Sequence, residues 1–448
     1  MSVTKRFWPD DRAGQRSALI CLLVVLAIGL GGGGSPHPLA ELLLQMSAAA
    51  ILAALAWSAG DARTRPPRTI WAICALVLAV PVLQLVPLSP AWWQALPGRE
   101  GQRAALGLVG LADSWRPLSI APHKTLASLL AMVVPLALAL LVAGENTAGR
   151  RRILATVALM ALASAVLGTL QVAGPGDAFR LYDGSHTGWL TGFHANRNAA
   201  ADLLLIGAVA AAARFAMRER QDGVTSAIGL TAALGVLLVA LLLTGSRAGI
   251  MLVSVAAAGI AILVTARQTS RRNRWSAGFA LVAALVIVVS AFAIFDQRLG
   301  YAAARFGMFD DTRIALWQDG VRALANGWPW GTGMGTFVDA FLPHEQLIHV
   351  DASMPNRAHS EWLEFAIEAG MPGYVVLATA IVLGAALARR SLGDPASRPA
   401  AIFALTSFIL VALHALIDYP LRNMAGASLV AIALGMLARP QEPDTDGT

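Results

Sequence analysis

The 448-residue sequence is poor in charge and in cysteine, and each shortage excludes a class of protein. Charged residues make up 14% of the chain and apolar residues 56%, which excludes an ordinary soluble globular protein. The two cysteines, Cys21 and Cys74, both lie in apolar runs, so we expect neither a disulfide framework nor a cysteine-based metal site. The apolar runs are continuous and lack the alternation of a transmembrane β-barrel. The remaining class is a helical membrane protein with several spans.

Apolar stretches of about 20 residues recur along the chain, and each is long enough to cross a hydrocarbon core as a helix. They predict an all-α integral membrane protein with about 12 transmembrane helices, in a single polytopic domain over residues 1–448. The first run continues into GGGGSPHP without a small-x-small cleavage site, so we expect a retained helix rather than a signal peptide. The predicted spans are 17–34, 39–59, 69–89, 124–143, 153–173, 199–217, 225–244, 248–266, 276–295, 370–388, 400–418 and 422–438.

The distribution of basic residues predicts the orientation of these spans. The even-numbered connections and both tails hold 21 of the 34 lysines and arginines, crowded into short loops such as RQTSRRNR. Cytoplasmic loops are enriched in such residues, so we expect both termini in the cytoplasm. The net charge of +7 reflects these anchors, and no nucleic-acid partner is inferred from it.

Two segments on the opposite, extracytoplasmic side are predicted to have structure of their own. The large loop 296–360 exceeds the usual length of a connection, and its regularly placed tryptophans favour a folded loop. Within it, TRIALWQDGVRALANGWPW predicts an amphipathic helix that breaks near Gly327 and Pro329, before the glycine turn GTGMGTF. A shorter segment, 90–123, is predicted to lie on the membrane surface because of its aromatic residues Trp92, Trp93 and Trp115.

The candidate binding residues are arginines at the extracytoplasmic ends of spans. Arginine is always ionised, and its planar fork of donors matches the geometry of phosphate. Arg247 stands in a link of about four residues between two spans, flanked by Gly245 and Gly249. The alternative for any one of these arginines is a snorkelling or helix-capping role. The four candidates are Arg197, Arg247, Arg357 and Arg422.

The candidate general base is His359, which follows the large loop and lies beside Arg357. The unperturbed pKa of histidine is near neutrality, which suits removal of a proton from a sugar hydroxyl. The alternative is a loop histidine that only makes hydrogen bonds. His194, in GFHANRNAAA, has a weaker case, and His344 and His349 have weaker cases still.

Glutamates follow His359 at helical spacing. Glu361, Glu364 and Glu368 lie on one face of a helix, but His359 and Glu368 are nine residues apart and fall on opposite sides. A direct pair between His359 and Glu368 is therefore not expected. Glu368 is instead expected to pair with an arginine or to cap a neighbouring element. No metal site is predicted, because the two histidines of HEQLIH do not share a helical face.

These motifs together resemble the O-antigen ligase and polymerase superfamily over residues 190–430. AHSEWLEFAIEAGMPG is similar to its signature, and RIALWQDGVRALANGWPWGTGMGTF to the block that opens its large periplasmic loop. LTGSRAG, GFHANRNAAA and DYPLRNMAG are similar to its arginine-bearing loops and its C-terminal motif. Serine at position 360, where asparagine is common, is a small departure.

The resemblance implies a GT-C-like glycosyltransferase in the bacterial inner membrane, with its active site on the periplasmic face. Such an enzyme takes a glycan from undecaprenyl diphosphate and passes it to a glycolipid or glycan acceptor, without a nucleotide sugar, cofactor or metal. His359 would be the essential histidine, and Arg197 and Arg247 would contact the diphosphate. Arg357, Glu368, Arg422 and His194 would be supporting residues. Membrane lipid is the remaining expected partner.

Four functions remain open at this stage. A ligase would transfer the glycan to a lipid A-core sugar, whereas a polymerase would transfer it to another lipid-linked repeat, and no residue decides between them. A glycolipid flippase would require charged or broken helices at the membrane midplane or two matching halves, and neither is visible. A non-enzymatic scaffold of a polysaccharide-export complex would tolerate substitution of both His359 and Arg247.

Overall fold

A computed structural model of the protein describes residues 11–33, 38–58, 65–183, 185–218, 223–266, 311–350 and 354–441. Within these ranges the fold is mainly helical, with connecting loops such as residues 174–196 and one antiparallel pair of two-residue strands, Pro87–Leu88 (β1) and Arg116–Pro117 (β2). In chain order the α-helices are Arg12–Leu30 (α1), Pro38–Ser58 (α2), Arg68–Leu85 (α3), Pro90–Gln94 (α4), Glu100–Leu108 (α5), Pro122–Ala131 (α6), Val133–Ala143 (α7), Thr147–Ala173 (α8), Arg197–Ala216 (α9), Gly223–Leu243 (α10), Arg247–Ala266 (α11), Asp311–Gly327 (α12), Phe337–Phe341 (α13), Glu361–Gly393 (α14), Arg398–His414 (α15) and Met424–Met436 (α16).

The protein is a multi-pass membrane protein. Among the described residues, nine helices are long and apolar enough to cross a bilayer, when α6 and α7 are taken as one span, and α15 and α16 are two shorter apolar helices. Eleven of the predicted spans therefore correspond to helices in the same order. The ninth predicted span, 276–295, and the loop RQTSRRNR lie outside the described residues.

The last two spans differ from their prediction because α15 ends at His414 and α16 begins only at Met424. The predicted spans ended at residue 418 and began again at residue 422, so they left only residues 419–421 outside a helix. Pro420 has no N–H to donate and disfavours helical backbone in the residue before it, which prevents continuation of the helix. Asn423 then caps α16 by accepting a 2.8 Å hydrogen bond from the Gly426 N–H. Residues 415–423 therefore form an unwound segment at the bundle end.

The two ends of the helix bundle are held in different ways. At one end, Arg150 is 1% exposed and donates to main-chain carbonyls of residues at and after the C-terminus of α16. Arg16 joins the same end through a 2.9 Å contact with Glu145. At the other end, which we call the His359 end, the starts of α9, α11, α14 and α16 meet the unwound segment 415–423.

The described part of the large loop is folded and packs onto α14. Residues from α12, α13 and α14 form a separate small apolar cluster. The predicted glycine turn after α12 is present, with Gly331, Gly333 and Gly335 at positive φ. The Thr332 and Gly333 N–H groups donate to the carbonyls of Ile367 and Glu368, at 3.0 and 2.9 Å. The loop is thereby attached directly to the backbone of α14.

Helix α14 is kinked where the glycine turn meets it. Gly370 has φ 59° and ψ −160°, outside the helical region. A Cβ at this position would lie 2.4 Å from the Pro329 carbonyl oxygen, so only glycine allows this approach. The Met371 N–H donates to the same carbonyl at 2.8 Å, and Gln84 of α3 donates to the Glu368 carbonyl at 2.9 Å. The hydrogen-bonding groups freed by the kink therefore have partners in the loop and in α3.

The segment 90–123 only partly matches its prediction as a surface segment. Trp92 and Trp115 are 73% and 66% exposed, as expected of interfacial aromatic residues. Trp93 contradicts the prediction, because it is fully buried and its Nε1 donates to the Ser114 carbonyl at 2.9 Å. Residues 90–117 fold back on themselves through the β1–β2 pair, and this folding encloses one ring of the three.

Candidate active site

The site is built from the residues that begin four helices. Asn196, Ser246, Ser360 and Asn423 each accept a hydrogen bond from a main-chain N–H in the first turn that follows. Serine and asparagine are favoured there because their side chains satisfy N–H groups that have no partner within the helix. Since these four helix starts lie at the His359 end, their neighbours Arg197, Arg247 and His359 are brought to the same end of the bundle.

His359 is held in an unusual backbone conformation by its neighbours. Its φ is 47°, in the left-handed region that non-glycine residues rarely adopt. The preceding residue, Ala358, is fixed from both sides: its carbonyl accepts a 3.0 Å hydrogen bond from Trp317, and its N–H donates to Glu364 at 3.1 Å. Such a conformation costs about 1–3 kcal/mol and is typical of functional sites.

The imidazole of His359 faces the unwound segment. Its Nδ1 lies 3.4 Å from Asp418 Oδ1, and its ring packs edge-on against Tyr419 with ring centroids 5.1 Å apart. Asp418 is 3% exposed, whereas the His359 side chain is 33% exposed. The buried carboxylate therefore faces one nitrogen of the ring, and Nε2 is the nitrogen left to act on a substrate.

Asp418 is held ionised by several neighbours. Burial alone would raise its pKa, but contact with His359, the charge of His414 and a hydrogen bond from Asn198 bring the pKa below its ordinary value. The Asn198 amide donates to Oδ2 of this carboxylate. An ionised carboxylate next to an imidazole stabilises the cation that forms when the imidazole takes a proton.

The same amide joins this pair to the arginines. The Asn198 side-chain oxygen accepts a 2.8 Å hydrogen bond from Ser246, which directly precedes Arg247. Arg197 precedes Asn198, and its guanidinium lies 4.9 Å from the centre of the Trp189 ring. The short loop before Arg247 passes under that ring: Gly245 has φ 57°, and a Cβ there would lie 2.0 Å from Trp189. Both arginines are half-buried.

Arg422 and Arg357 occupy a different environment from these two. Arg422 contacts three carboxylates, Glu361 and Glu364 at 3.4 Å each and Glu368 at 2.6 Å. Burial alone would lower the pKa of its guanidinium, but the three carboxylates raise it above its ordinary value. Arg357 lies 2.8 Å from Glu364. We call these five residues the carboxylate cluster, and it positions both arginines against protein carboxylates.

Glu368 makes both of the contacts that its position predicts. It pairs with Arg422, and its other oxygen accepts a 3.1 Å hydrogen bond from the Phe337 N–H at the start of α13. Together with the kink at Gly370, this contact attaches the large loop to α14.

His194 does not join His359. It is 2% exposed and lies where the loop before α9 packs on the end of α1. Burial lowers the pKa of its imidazole to about 4, so the ring is neutral at physiological pH.

Sequence reasoning did not select Asp418, Asn198 or His186 as site residues. The first two complete the connection between His359 and the arginines, and His186 Nδ1 accepts a 3.4 Å hydrogen bond from the Arg197 N–H. Burial, followed by the charge of Arg197, lowers the pKa of His186. The sequence did contain a signal for Asp418: in DYPLRN it lies two residues before Pro420 and at the end of a predicted span.

A comparison with known families matches one part of the chain. Residues 232–378 match the model of the O-antigen ligase family, Wzy_C. The chain carries an O-antigen ligase domain. This family comprises membrane enzymes of the O-antigen ligase and polymerase type, which act in lipopolysaccharide and polysaccharide biosynthesis. No curated protein matches the chain.

The matched O-antigen ligase domain covers only part of the candidate site. It includes Arg247 and His359 together with most of the carboxylate cluster, and it lies within the resemblance read over 190–430. Arg197 and Asp418 fall outside it, on either side in the sequence. Asn198 joins both of them to Ser246 of the domain, and Asp418 also contacts His359 and the Glu361 N–H directly.

Proposed function

We propose that the protein is an O-antigen ligase-like glycosyltransferase that moves a glycan from undecaprenyl diphosphate to a periplasm-facing acceptor, with lipid A-core or a related surface glycan as the acceptor class. In this proposal His359 is the general base, and Arg197 and Arg247 bind the diphosphate. The observation that carries it is the connected group His359–Asp418–Asn198–Ser246, which brings the histidine and both arginines to one end of the helices.

The chemistry requires only two actions from the protein. His359 Nε2 takes the proton from an acceptor hydroxyl while that oxygen forms a bond to the anomeric carbon of the donor glycan. The bond from this carbon to the diphosphate oxygen breaks, and its electron pair remains on the leaving undecaprenyl diphosphate. Arginines near the leaving group stabilise the charge that develops, and each such donor contributes about 3–4 kcal/mol in other enzymes.

The environments of the four arginines support this division of roles. Arg422 and Arg357 contact buried glutamates, so their charge is compensated within the protein. Arg197 lies over the Trp189 ring, Arg247 is the first residue of α11, and both side chains are half-buried. The helix starts add their own positive potential, which favours a phosphate group.

A polymerase that extends lipid-linked repeats is the second candidate, because the family includes both reactions. The proposed site serves either one, since both use the same donor and the same base. The difference lies in the acceptor.

The experiment is a glycolipid profile of the source cell after His359→Ala or Arg247→Gln. We expect both variants to insert in the membrane and to abolish transfer. A ligase leaves long glycan on undecaprenyl diphosphate with bare core, whereas a polymerase leaves a single repeat on the core or on the lipid carrier. His344→Ala is the matched control, because the ring of this histidine in the same loop contacts the Ala340 carbonyl at 2.9 Å and makes no other hydrogen bond to the described residues. A normal profile in His359→Ala would refute the proposal.

A further inference from the structure

A second imidazole–carboxylate pair lies behind His359. His414, the last residue of α15, places its Nδ1 2.7 Å from Asp202 Oδ1 of α9. The two residues are 1% and 4% exposed. A buried carboxylate requires a partner, and His414 supplies one. The pair nevertheless leaves its two outer atoms, His414 Nε2 and Asp202 Oδ2, without a hydrogen-bond partner among the described protein atoms.

The outer atoms of this pair point towards Asp418. His414 Nε2 lies 3.9 Å from Asp418 Oδ2, which is too long for a direct hydrogen bond. A cavity of about 10 Å³ is lined by both residues together with Asp202, Asn196 and Tyr419. This volume holds about one water molecule, which needs two to four polar partners. Two buried atoms of the residues that line this cavity, Asp202 Oδ2 and His414 Nε2, lack a hydrogen-bond partner among the described protein atoms. Asp418 Oδ1 also lacks one, and it faces His359 Nδ1 at 3.4 Å.

We propose that Asp202 and His414 form a proton-accepting site behind His359, joined to it through Asp418 and one water molecule. This inference rests on the proposed function of His359 as a base. It assigns a purpose to two buried polar residues that the transfer reaction itself does not use. The alternating order His359, Asp418, His414, Asp202 runs from a side chain that is one-third exposed to one that is buried inside the bundle.

At each step a proton moves from one residue of this order to the next. At rest, one proton lies between His414 Nδ1 and Asp202, so His414 Nε2 carries a lone pair. His359 takes the acceptor's proton on Nε2 and passes its Nδ1 proton to Asp418. Asp418 does not keep that proton: it passes one through the water to His414 Nε2 and is ionised again, and His414 becomes an imidazolium beside the Asp202 carboxylate. No electrons are transferred, and after the product leaves the proton returns to solvent through His359.

The advantage of such a site follows from the position of His359. When substrate and loop cover the imidazole, a base that takes a proton stays positively charged until it is opened to solvent. Passing the Nδ1 proton inward makes His359 neutral again while the site is covered, and the proton on Nε2 leaves after the product does. The charged and titratable groups around the array also set its proton affinity, and they come from every element packed against it: His186, Arg197, Arg313, His359, Asp418 and Tyr419.

The direct test is nitrogen NMR of the eight histidines in the full chain, labelled with ¹⁵N-histidine and reconstituted in nanodiscs. His414→Gln assigns the His414 signals. We expect His414 at neutral pH to carry a proton on Nδ1 only, and to take the second at lower pH. In Asp202→Asn the affinity for that second proton should fall about 10-fold or more, because the neighbouring negative charge is gone. A doubly protonated His414 throughout the pH range, or no change in Asp202→Asn, would overturn the proposal.

A kinetic arm separates proton transfer from a structural role. We expect Asp202→Asn and His414→Gln to lower kcat about 10-fold, less than the 10²- to 10⁴-fold effect of a general base itself, with KM for an undecaprenyl diphosphate-linked glycan unchanged. The solvent isotope effect should indicate that several protons move in the rate-limiting step of the wild type and only one in either variant. The matched control is Ser407→Ala, a fully buried polar residue of α15 that donates only to the Phe403 carbonyl at 2.8 Å, and it should change neither value.

The two arms distinguish the failure of this inference from the failure of the proposed function. Unchanged kcat and isotope effect in both variants, beside an active wild type, would overturn the proton site alone. An inactive wild type would refute the proposed transfer reaction, and the NMR measurement would still decide whether His414 and Asp202 accept a proton together.

Discussion

Arg422 is the cation whose removal should destabilise the fold most. Its side chain is 9% exposed and contacts Glu361, Glu364 and Glu368, of which the last two are fully buried. Removal of one partner of a buried ion pair costs about 3–5 kcal/mol, because the other charge is left uncompensated. Glu364 and Glu368 also accept hydrogen bonds from other donors. We therefore expect Arg422→Met to lower the free energy of unfolding by about 3 kcal/mol, the low end of that range.

The assay is denaturant unfolding of the full chain in lipid nanodiscs, followed by tryptophan fluorescence. Arg322→Met is the matched control, because Arg322 is half-exposed and its buried partner Asp319 still contacts Gln346 and His349 when Arg322 is removed, so we expect a cost of about 1 kcal/mol or less. Arg422→Met combined with Glu368→Gln should recover part of the loss, since it removes one of the uncompensated charges. Equal stability of the two single variants, or a double variant no more stable than Arg422→Met, would refute the electrostatic reasoning.

Three further predictions concern the base, the kink and the loop. Asp418→Asn should lower kcat about 10²- to 10⁴-fold with KM for the donor unchanged, because the carboxylate acts only when the imidazole becomes charged. Gly370→Ala should lower the free energy of unfolding by about 1–3 kcal/mol, since its φ is 59°; Gly384→Ala in the same helix meets no atom within 4 Å and should stabilise by up to about 1 kcal/mol. Burial alone would raise the pKa of Asp319. Hydrogen bonds from His349 and Gln346 outweigh burial and bring this pKa below its ordinary value of 3.8. The stability that ionised Asp319 gives to the loop should therefore be fully present above about pH 3.8. It should be lost as the pH falls through the pKa that Asp319 has in the folded protein, and hydrogen exchange of residues 311–350 would show this.

Each of these three has an outcome that contradicts it. An Asp418→Asn enzyme with raised KM and normal kcat would make the carboxylate a binding group. Equal effects of alanine at Gly370 and at Gly384 would show that the kink does not require glycine. Hydrogen exchange in the loop with the same acid dependence in wild type and Asp319→Asn would remove Asp319 as the cause.

The order of the membrane helices was predictable from sequence because hydropathy depends on runs of neighbouring residues. Each described span corresponds to one charge-poor run, so length and composition were enough. The facing ends of the last two spans were wrong, and the first of them was extended because Ala415, Leu416 and Ile417 continue the apolar run of α15. Pro420 carried the signal for the break, and Asn423 the signal for the restart.

The candidate site was only half predictable, for a reason of distance along the chain. His359 and Arg247 stand in motifs whose residue types indicate their chemistry directly. Asp418 indicates nothing by itself, since it follows His359 by 59 positions and becomes its neighbour only when α14 and α15 pack side by side. Asn198 has the same property, because its importance lies in joining Asp418 to Ser246, and neither contact is local.

Residue type alone did not give the surroundings of Trp93 or of the supporting arginine Arg422. Trp93 was expected at the membrane surface from its residue type, but the chain folds back over it. Arg422 resembled the phosphate-binding candidates in sequence, and three glutamates of one helix face surround it in the fold. In both cases residue type was informative, but the partner that decides the role came from another segment.

The most direct test of the central claim is transfer by the purified full chain in nanodiscs, supplied with an undecaprenyl diphosphate-linked glycan and a lipid A-core acceptor. The account predicts that wild type forms the glycan-bearing acceptor and releases undecaprenyl diphosphate. It also predicts that His359→Gln binds the donor normally and turns over at least about 10²-fold more slowly. Turnover of His359→Gln at the wild-type rate would contradict the account.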